Sequence, residues 1–293
     1  MLALNKRDIV TVVLFSLPAL IPLSVFWIGP MFYIFYLSLT DWDFMSPAFD
    51  FVGFDNYLFV FEDPAFYRTL WNTLYFTAGS VIPSIAGGLG MALLLNRRLS
   101  GIGLYRTIIF SPWVTPTVAV AIVWSWILQP DTGVANWVLS AIGLPRLPWL
   151  SSSKWAMPSV LLVTVWKQVG WTMIFYLVAL QRIPQSLHDA AKIDGVSAWT
   201  KLWYITWPLI SPTTLFLVVV MTIDALNAFD QIHVMTQGGP AGATRTLLYM
   251  YYQSAFERFN SGEAAVIGVV MLAIAAVLSA LQFWSSRRWV HYD

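Results

Sequence analysis

Six stretches of this chain stay apolar for about 20 residues or more, long enough for a helix rising about 1.5 Å per residue to cross the roughly 30 Å hydrocarbon core of a bilayer. They cover residues 11–39, 70–95, 107–128, 155–180, 209–229 and 264–284. Lipid offers a peptide group no hydrogen-bond partner, so each run is restricted to a helix whose backbone bonds are internal. The expected fold class is an all-α integral membrane protein with six transmembrane helices, a single transmembrane domain over residues 1–293.

Composition points to the same solvent. The chain is 58% hydrophobic and 11% charged, where a soluble domain carries about 25% charged residues. Its mean hydropathy is +0.67. The first run contains Pro18, Pro22 and Pro30 behind Lys6 and Arg7. It exceeds the about 7–15 residues of a signal-peptide core, and so reads as an uncleaved span. Gly87, Gly88 and Gly90 give the second run a small-residue face for helix contact. The absence of cysteine excludes disulfides, cysteine-ligated zinc and thiol catalysis. A net charge of +1, with no basic stripe among the aromatics, argues against nucleic acid. Sixteen tryptophans suit interfacial belts against membrane lipid.

Charge orients the spans. With both termini cytoplasmic, the inner segments hold Lys6, Arg7, Arg97, Arg98, Arg106, Arg182, Lys192, Lys201, Arg287 and Arg288, ten of the sixteen basic residues. That excess is the positive-inside pattern. The same topology puts residues 183–208 inside, between spans 4 and 5. This loop is amphipathic and reads as two short helices meeting at a glycine. Ser186 and Asp189 have the form of a capping box. Leu187, Ala190, Ala191 and Ile193 give the first helix an apolar side. Asp194-Gly195 is a turn that needs φ > 0, and Ser197 caps a second helix, residues 198–205, that Pro208 is expected to stop.

The stretch Asp189-Ala190-Ala191-Lys192-Ile193-Asp194-Gly195-Val196, followed by Ile205 and Pro208, resembles the "EAA" loop of permease subunits of binding-protein-dependent ABC carbohydrate importers, the maltose and glycerol-phosphate type. Phe110-Ser111-Pro112-Trp113-Val114-Thr115-Pro116 is similar to that family's F-x-P-x-x-x-P segment at its third span. Ala228-Phe229-Asp230 through Thr236-Gln237-Gly238-Gly239-Pro240 is similar to its segment after the fifth span, and Phe51-Val52-Gly53-Phe54-Asp55-Asn56-Tyr57 to its first outer loop. The match covers roughly residues 10–285, with Asp189 where the family usually has Glu and Val196 where it usually has Ala.

The resemblance implies a multi-pass permease of a bacterial or archaeal plasma (inner) membrane. Its partners would be a second homologous permease, two cytoplasmic ATPase subunits, an extracytoplasmic solute-binding protein and the sugar itself. ATP and Mg would be bound by the ATPase subunits. This chain would hold no cofactor, no metal and no catalytic residue, in keeping with its lack of a G-x-x-x-x-G-K-[ST] phosphate loop. The implied ATPase-coupling residues are Asp189, Ala190, Ala191, Asp194, Gly195 and Pro208. Asp189 and Asp194 equally fit helix capping and turn formation. Gly238, Gly239 and Pro240 would face the binding protein, or simply form a tight turn.

Two charges stand inside spans, Lys167 and Asp224, and an intramembrane charge marks a path, a relay or a pair. Lys167, Gln168 and Trp171 share one helical face, and Asp224, Asn227 and Ala228 another. By the resemblance these six line the substrate path, with Trp171 stacking on a sugar ring; a Lys167–Asp224 ion pair tying the spans is the structural alternative. The expected substrate is a di- or oligosaccharide, against glycerol-3-phosphate or another polyol derivative. An ion-coupled secondary transporter would leave the amphipathic loop unexplained, and a membrane enzyme would need a polar cluster that the sequence lacks.

Overall fold

The structure, a computed structural model, describes residues 6–43, 45–97 and 100–290, with side chains from residue 11 onward. Arg98 lies outside the described residues. Among these there is no strand, only an isolated bridge between Thr40 and Phe51. Five helices are long and apolar enough to cross a membrane, and a sixth is counted if one sharply bent pair is a single span. The chain divides into two compact units, Met1–Asp63 with Tyr251–Val270, and Pro64–Met250 with Met271–Asp293.

In the first unit, α1 (Lys6–Leu23) passes through one π-helical turn, Ser24–Ile28, into α2 (Gly29–Leu37). The wide turn ends two residues before Pro30. A proline ring clashes with the carbonyl four residues back, and a π turn there gives the backbone room without ending the helix. Beyond the span, α3 (Asp55–Glu62) is tied down by Asn56, whose Nδ2 donates to Ser38 O at 3.0 Å and Thr40 O at 2.8 Å. Arg258 pairs with the buried Glu263 at 2.7 Å.

The second unit is built on α4 (Pro64–Leu95) and α8 (Ala156–Gln181). Gly88 brings the two backbones together: a Cβ there would collide with Thr172 Oγ1 and stand 2.9 Å from the Met173 nitrogen. Gly90 does not share that contact, since a Cβ at this position meets no atom within 4 Å; the small-residue face is narrower than expected because Gly90 points away from α8. The core of the unit gathers Ala92, Met173, Tyr176, Leu177, Ile210 and Leu217. Within it the buried Tyr176 hydroxyl bonds Thr214 Oγ1 at 3.1 Å.

The expected third span, residues 107–128, is not one unbroken helix. It is two helices, α5 (Ile102–Val114) and α6 (Thr117–Ile127), bent by 98°. Pro116 disfavours helical backbone at the residue before it, and Thr115 is extended at φ −71°, ψ 134°. Pro112, inside α5, bends nothing sharply because the Ser111 hydroxyl takes the Ile108 carbonyl at 2.9 Å, the group that a proline nitrogen leaves free. Ser211 repeats the device before Pro212, donating to Pro208 O at 2.6 Å. After α6 come α7 (Val134–Ala141), then α8, α9 (Gln185–Ile193), α10 (Ala198–Lys201), α11 (Trp207–Leu226) and α12 (Asp230–Met235). Next, α13 (Leu247–Tyr252) precedes α14 (Ser261–Trp289), whose Gln282 donates to Thr222 of α11 at 2.9 Å.

Candidate functional site

A cavity of about 420 Å³ opens where α5 breaks into α6, walled by α8 and closed by the end of α11 and the start of α12. Lys167, Gln168, Asp224, Asn227 and Ala228 all line it, as does Trp113. Breaking the helix leaves the last carbonyls of α5 without intrahelical donors. Lys167 answers one of them, donating from Nζ to Trp113 O at 3.0 Å. The same ammonium lies 5.3 Å from the centroid of the Trp113 ring. A cation at a helix C-terminus also meets the negative end of the dipole.

The Lys167–Asp224 ion pair is not formed. Among the described residues Asp224 has no hydrogen-bond or ion-pair partner, and it opens into the cavity. Gln168 Oε1 accepts the Ser84 hydroxyl at 3.3 Å, which leaves its amide NH₂ as a donor. Asn227, ending α11, donates to Ile223 O at 2.9 Å and keeps its own carbonyl oxygen as an acceptor. The cavity thus offers hydrogen-bond donors and acceptors beside an aromatic wall.

Trp171 does not line it, which corrects the expectation. Gly170 admits α5 so closely that a Cβ would collide with the Ile109 carbonyl. Trp113 therefore stands between Trp171 and the cavity, stacked on it with centroids 5.1 Å apart and planes at 25°. Trp171 backs the wall, and Phe175 packs behind it at 4.7 Å. Sequence reasoning missed Trp113, Thr117 and Asp230 as lining residues. The signal was present in the Pro112/Pro116 pair flanking Trp113, read there as family resemblance instead of as a bend.

The loop between α8 and α11 forms two short helices. The glycine turn is a Schellman motif: Gly195 has φ +66°, its N–H bonds Lys192 O at 3.2 Å, and Val196 N bonds Ala191 O at 3.0 Å. Ser197 caps α10, accepting from Thr200 N at 3.1 Å. The capping box is not formed. Helix α9 begins at Gln185 behind Pro184, so Ser186 is already inside it. Asp189 accepts instead from Gln185 at 3.1 Å and Lys192 at 3.3 Å. Those bonds, Gln185's first, hold its carboxyl below the usual carboxylate range. Asp194 is the C-cap of α9.

Pro208 stops nothing, a further correction. A π-helical turn, Leu202–Thr206, ends two residues before it, so α10 runs through to α11 as one continuous helix. This is the arrangement already met at Pro30. Ala191 is buried, whereas Ala190 is exposed. The loop leaves Ile193 86% exposed, Tyr204 79% and Trp199 67%, three large apolar groups on one short segment. Gly238, Gly239 and Pro240 lie in a braced turn: Thr244 Oγ1 donates to Gly239 O at 2.9 Å, and Asn72 of α4 holds Gly242 O at 2.9 Å and Arg245 O at 3.1 Å.

Comparison with known proteins places this geometry in context. A family profile described as "Binding-protein-dependent transport system inner membrane component" matches residues 79–291. The chain is 38% identical to a lactose transport system permease protein of Rhizobium radiobacter, over 94% of this chain and 93% of that one. It is 33% identical to an sn-glycerol-3-phosphate transport system permease protein of Agrobacterium fabrum, over 94% of each. Among solved structures it is similar to a chain of a bacterial alginate ABC transporter in complex with an alginate pentasaccharide-bound periplasmic protein, with a TM-score of 0.82, 27% identity and coverage of 97% and 96%.

Proposed function

The chain belongs to the family of inner membrane components of binding-protein-dependent transport systems, and on that premise we propose that it forms, with a second permease, the path of an ATP-driven importer for a neutral di- or oligosaccharide. The observation that carries the substrate class is the balance of charge in the cavity. One ammonium, Lys167, is spent on the Trp113 carbonyl, and two carboxylates, Asp224 and Asp230, line the same space. That surplus of negative charge opposes an anion such as glycerol-3-phosphate. The Gln168 NH₂ and the Asn227 carbonyl oxygen, beside an indole, suit a sugar's hydroxyls and apolar ring face.

On this reading both termini are cytoplasmic, residues 1–293 act as one transmembrane permease domain, and the chain has no ATPase site or cofactor of its own. Two separate ATPase subunits bind ATP and Mg and dock on the α9–α10 loop, whose exposed Ile193, Trp199 and Tyr204 are the kind of patch that marks a protein contact. Asp189, Ala190, Ala191, Asp194 and Gly195 shape that surface. Pro208 sits where the loop joins α11, so a displacement of the loop is carried into the span without a hinge. The turn at Gly238, Gly239 and Pro240 faces the solute-binding protein outside.

The test is ATP hydrolysis by the reconstituted importer, with its binding protein loaded in turn with neutral disaccharides and with sn-glycerol-3-phosphate. Stimulation by a disaccharide, lowered at least tenfold by Asp224→Asn paired with Asn227→Ala, is expected on the loss of about 1.5 kcal/mol or more of hydrogen bonding. Stimulation by the phosphate ester alone, or no effect of these substitutions, overturns the assignment.

A further inference from the structure

Two cavities that transport does not use adjoin at the end of the second unit that carries the α9–α10 loop. One is a groove of about 680 Å³ lined by Ile85, Leu89 and Leu93 of α4, Trp207 and Val218 of α11 and Trp289 of α14. Its polar lining residue, Thr214, is already bonded to Tyr176 and to Ile210 O. The other, of about 380 Å³, is polar and lined by Asn96, Gln185, His188, Lys192 and Lys201. Leu93 lines both, and Thr206 of the polar cavity is covalently joined to Trp207 of the apolar one. The two therefore adjoin, an apolar groove next to a cationic pocket.

Their dimensions and charge identify the occupant. Along α4 the groove runs from Val81 to Leu93, about 18 Å at 1.5 Å per residue, against about 15 Å for one leaflet of the hydrocarbon core. No carboxylate lines the polar end. The contact of Lys192 with Asp189 is a surface pair at 3.3 Å, with side chains 70% and 54% exposed, which holds the ammonium weakly. Among the described residues Lys201 makes no ion pair. Among the described residues the buried Nδ1 atom of His188 has no partner, and a buried polar atom left unpaired is costly. Burial first, then the neighbouring Lys201, holds the His188 imidazolium below its ordinary range, so the positive charge of the pocket is that of Lys192 and Lys201.

We propose that this pair of cavities binds one anionic phospholipid of the inner leaflet, an acyl chain lying in the groove between α4, α11 and α14 and the phosphate headgroup resting against Lys192, Lys201 and His188. The choice of leaflet rests on the orientation proposed above; the site itself does not. The bound headgroup straps α9 to the ends of α4 and α8, so the lipid braces the segment proposed to meet the ATPase.

Lipid retention is read on the full-length chain in detergent by native mass spectrometry, with phosphatidylglycerol or phosphatidylcholine added, and needs no transport activity. It therefore fails or succeeds independently of the importer reading. Phosphatidylglycerol is expected to stay bound preferentially. Each lysine near an anionic lipid is worth about fivefold in affinity, so Lys192→Gln with Lys201→Gln weakens phosphatidylglycerol by about 25-fold and leaves phosphatidylcholine unchanged. Gly90→Leu fills the groove without meeting another atom at its Cβ and lowers retention of both lipids while the melting temperature holds. Equal affinity for the two lipids overturns the proposal. So does displacement by inorganic phosphate with Gly90→Leu silent, which makes the polar cavity a free anion site.

Discussion

Replacing Lys167 by Met distinguishes a helix cap from an ion pair. Met keeps most of the length of the side chain and removes its charge. The ammonium donates to Trp113 O at 3.0 Å and lies 5.3 Å from the indole centroid. A hydrogen bond from a charged donor contributes about 1.5–3 kcal/mol and a cation–π contact about 0.5–1. Relief of the half-buried charge returns part of that, which leaves an expected destabilisation of about 1–3 kcal/mol. Asp224→Asn, by contrast, changes an exposed carboxylate that has no partner among the described residues, and should stay within about 0.5 kcal/mol. Because the two groups do not touch, the double variant should be additive to within about 0.5 kcal/mol. Reversible unfolding of the four proteins in mixed detergent, followed by tryptophan fluorescence, gives the cycle. A coupling energy above about 1.5 kcal/mol would refute the cap and restore the ion pair, since breaking a buried pair costs about 3–5 kcal/mol.

The turn at Gly195 separates backbone from bulk. An L-residue pays about 1–2 kcal/mol in the left-handed region while the space around a Cβ there is open, so Gly195→Ala should lower substrate-stimulated hydrolysis by about five- to thirtyfold and Gly195→Asn, which tolerates that region, by much less. Equal losses for Ala and Asn would show that φ is not the constraint. His188 sets a pH dependence: its depressed imidazolium favours the neutral form in the fold, so its stabilisation is full above the ordinary value of about 6.5 and is lost as pH falls through the folded value. Amide exchange of α9 in the lipid-free chain, corrected for intrinsic rates, should rise between pH 7.5 and 5.5, and His188→Gln should remove the pH-dependent part.

Local physics was legible in the sequence. The length of each apolar run decides that it spans, because the requirement to pair backbone groups in lipid acts on a segment by itself. The Asp194-Gly195 turn and the Ser197 cap form as expected because both depend on a few neighbouring residues. Five of the six residues expected to line a path do line one cavity, because helical periodicity puts Lys167 with Gln168 and Asp224 with Asn227 on common faces. Tertiary structure decided the rest. Pro116 announces a break, but the 98° angle and the turn of Trp113 toward Lys167 depend on α5 packing against Gly170. That contact moved Trp171 from the cavity to its backing and gave Lys167 a carbonyl instead of Asp224. Pro208 reads as a breaker until a π turn upstream widens the helix, as one also does before Pro30. Hydropathy is a property of each segment, whereas a partner is a property of what another segment brings near, and only the packed chain determines that.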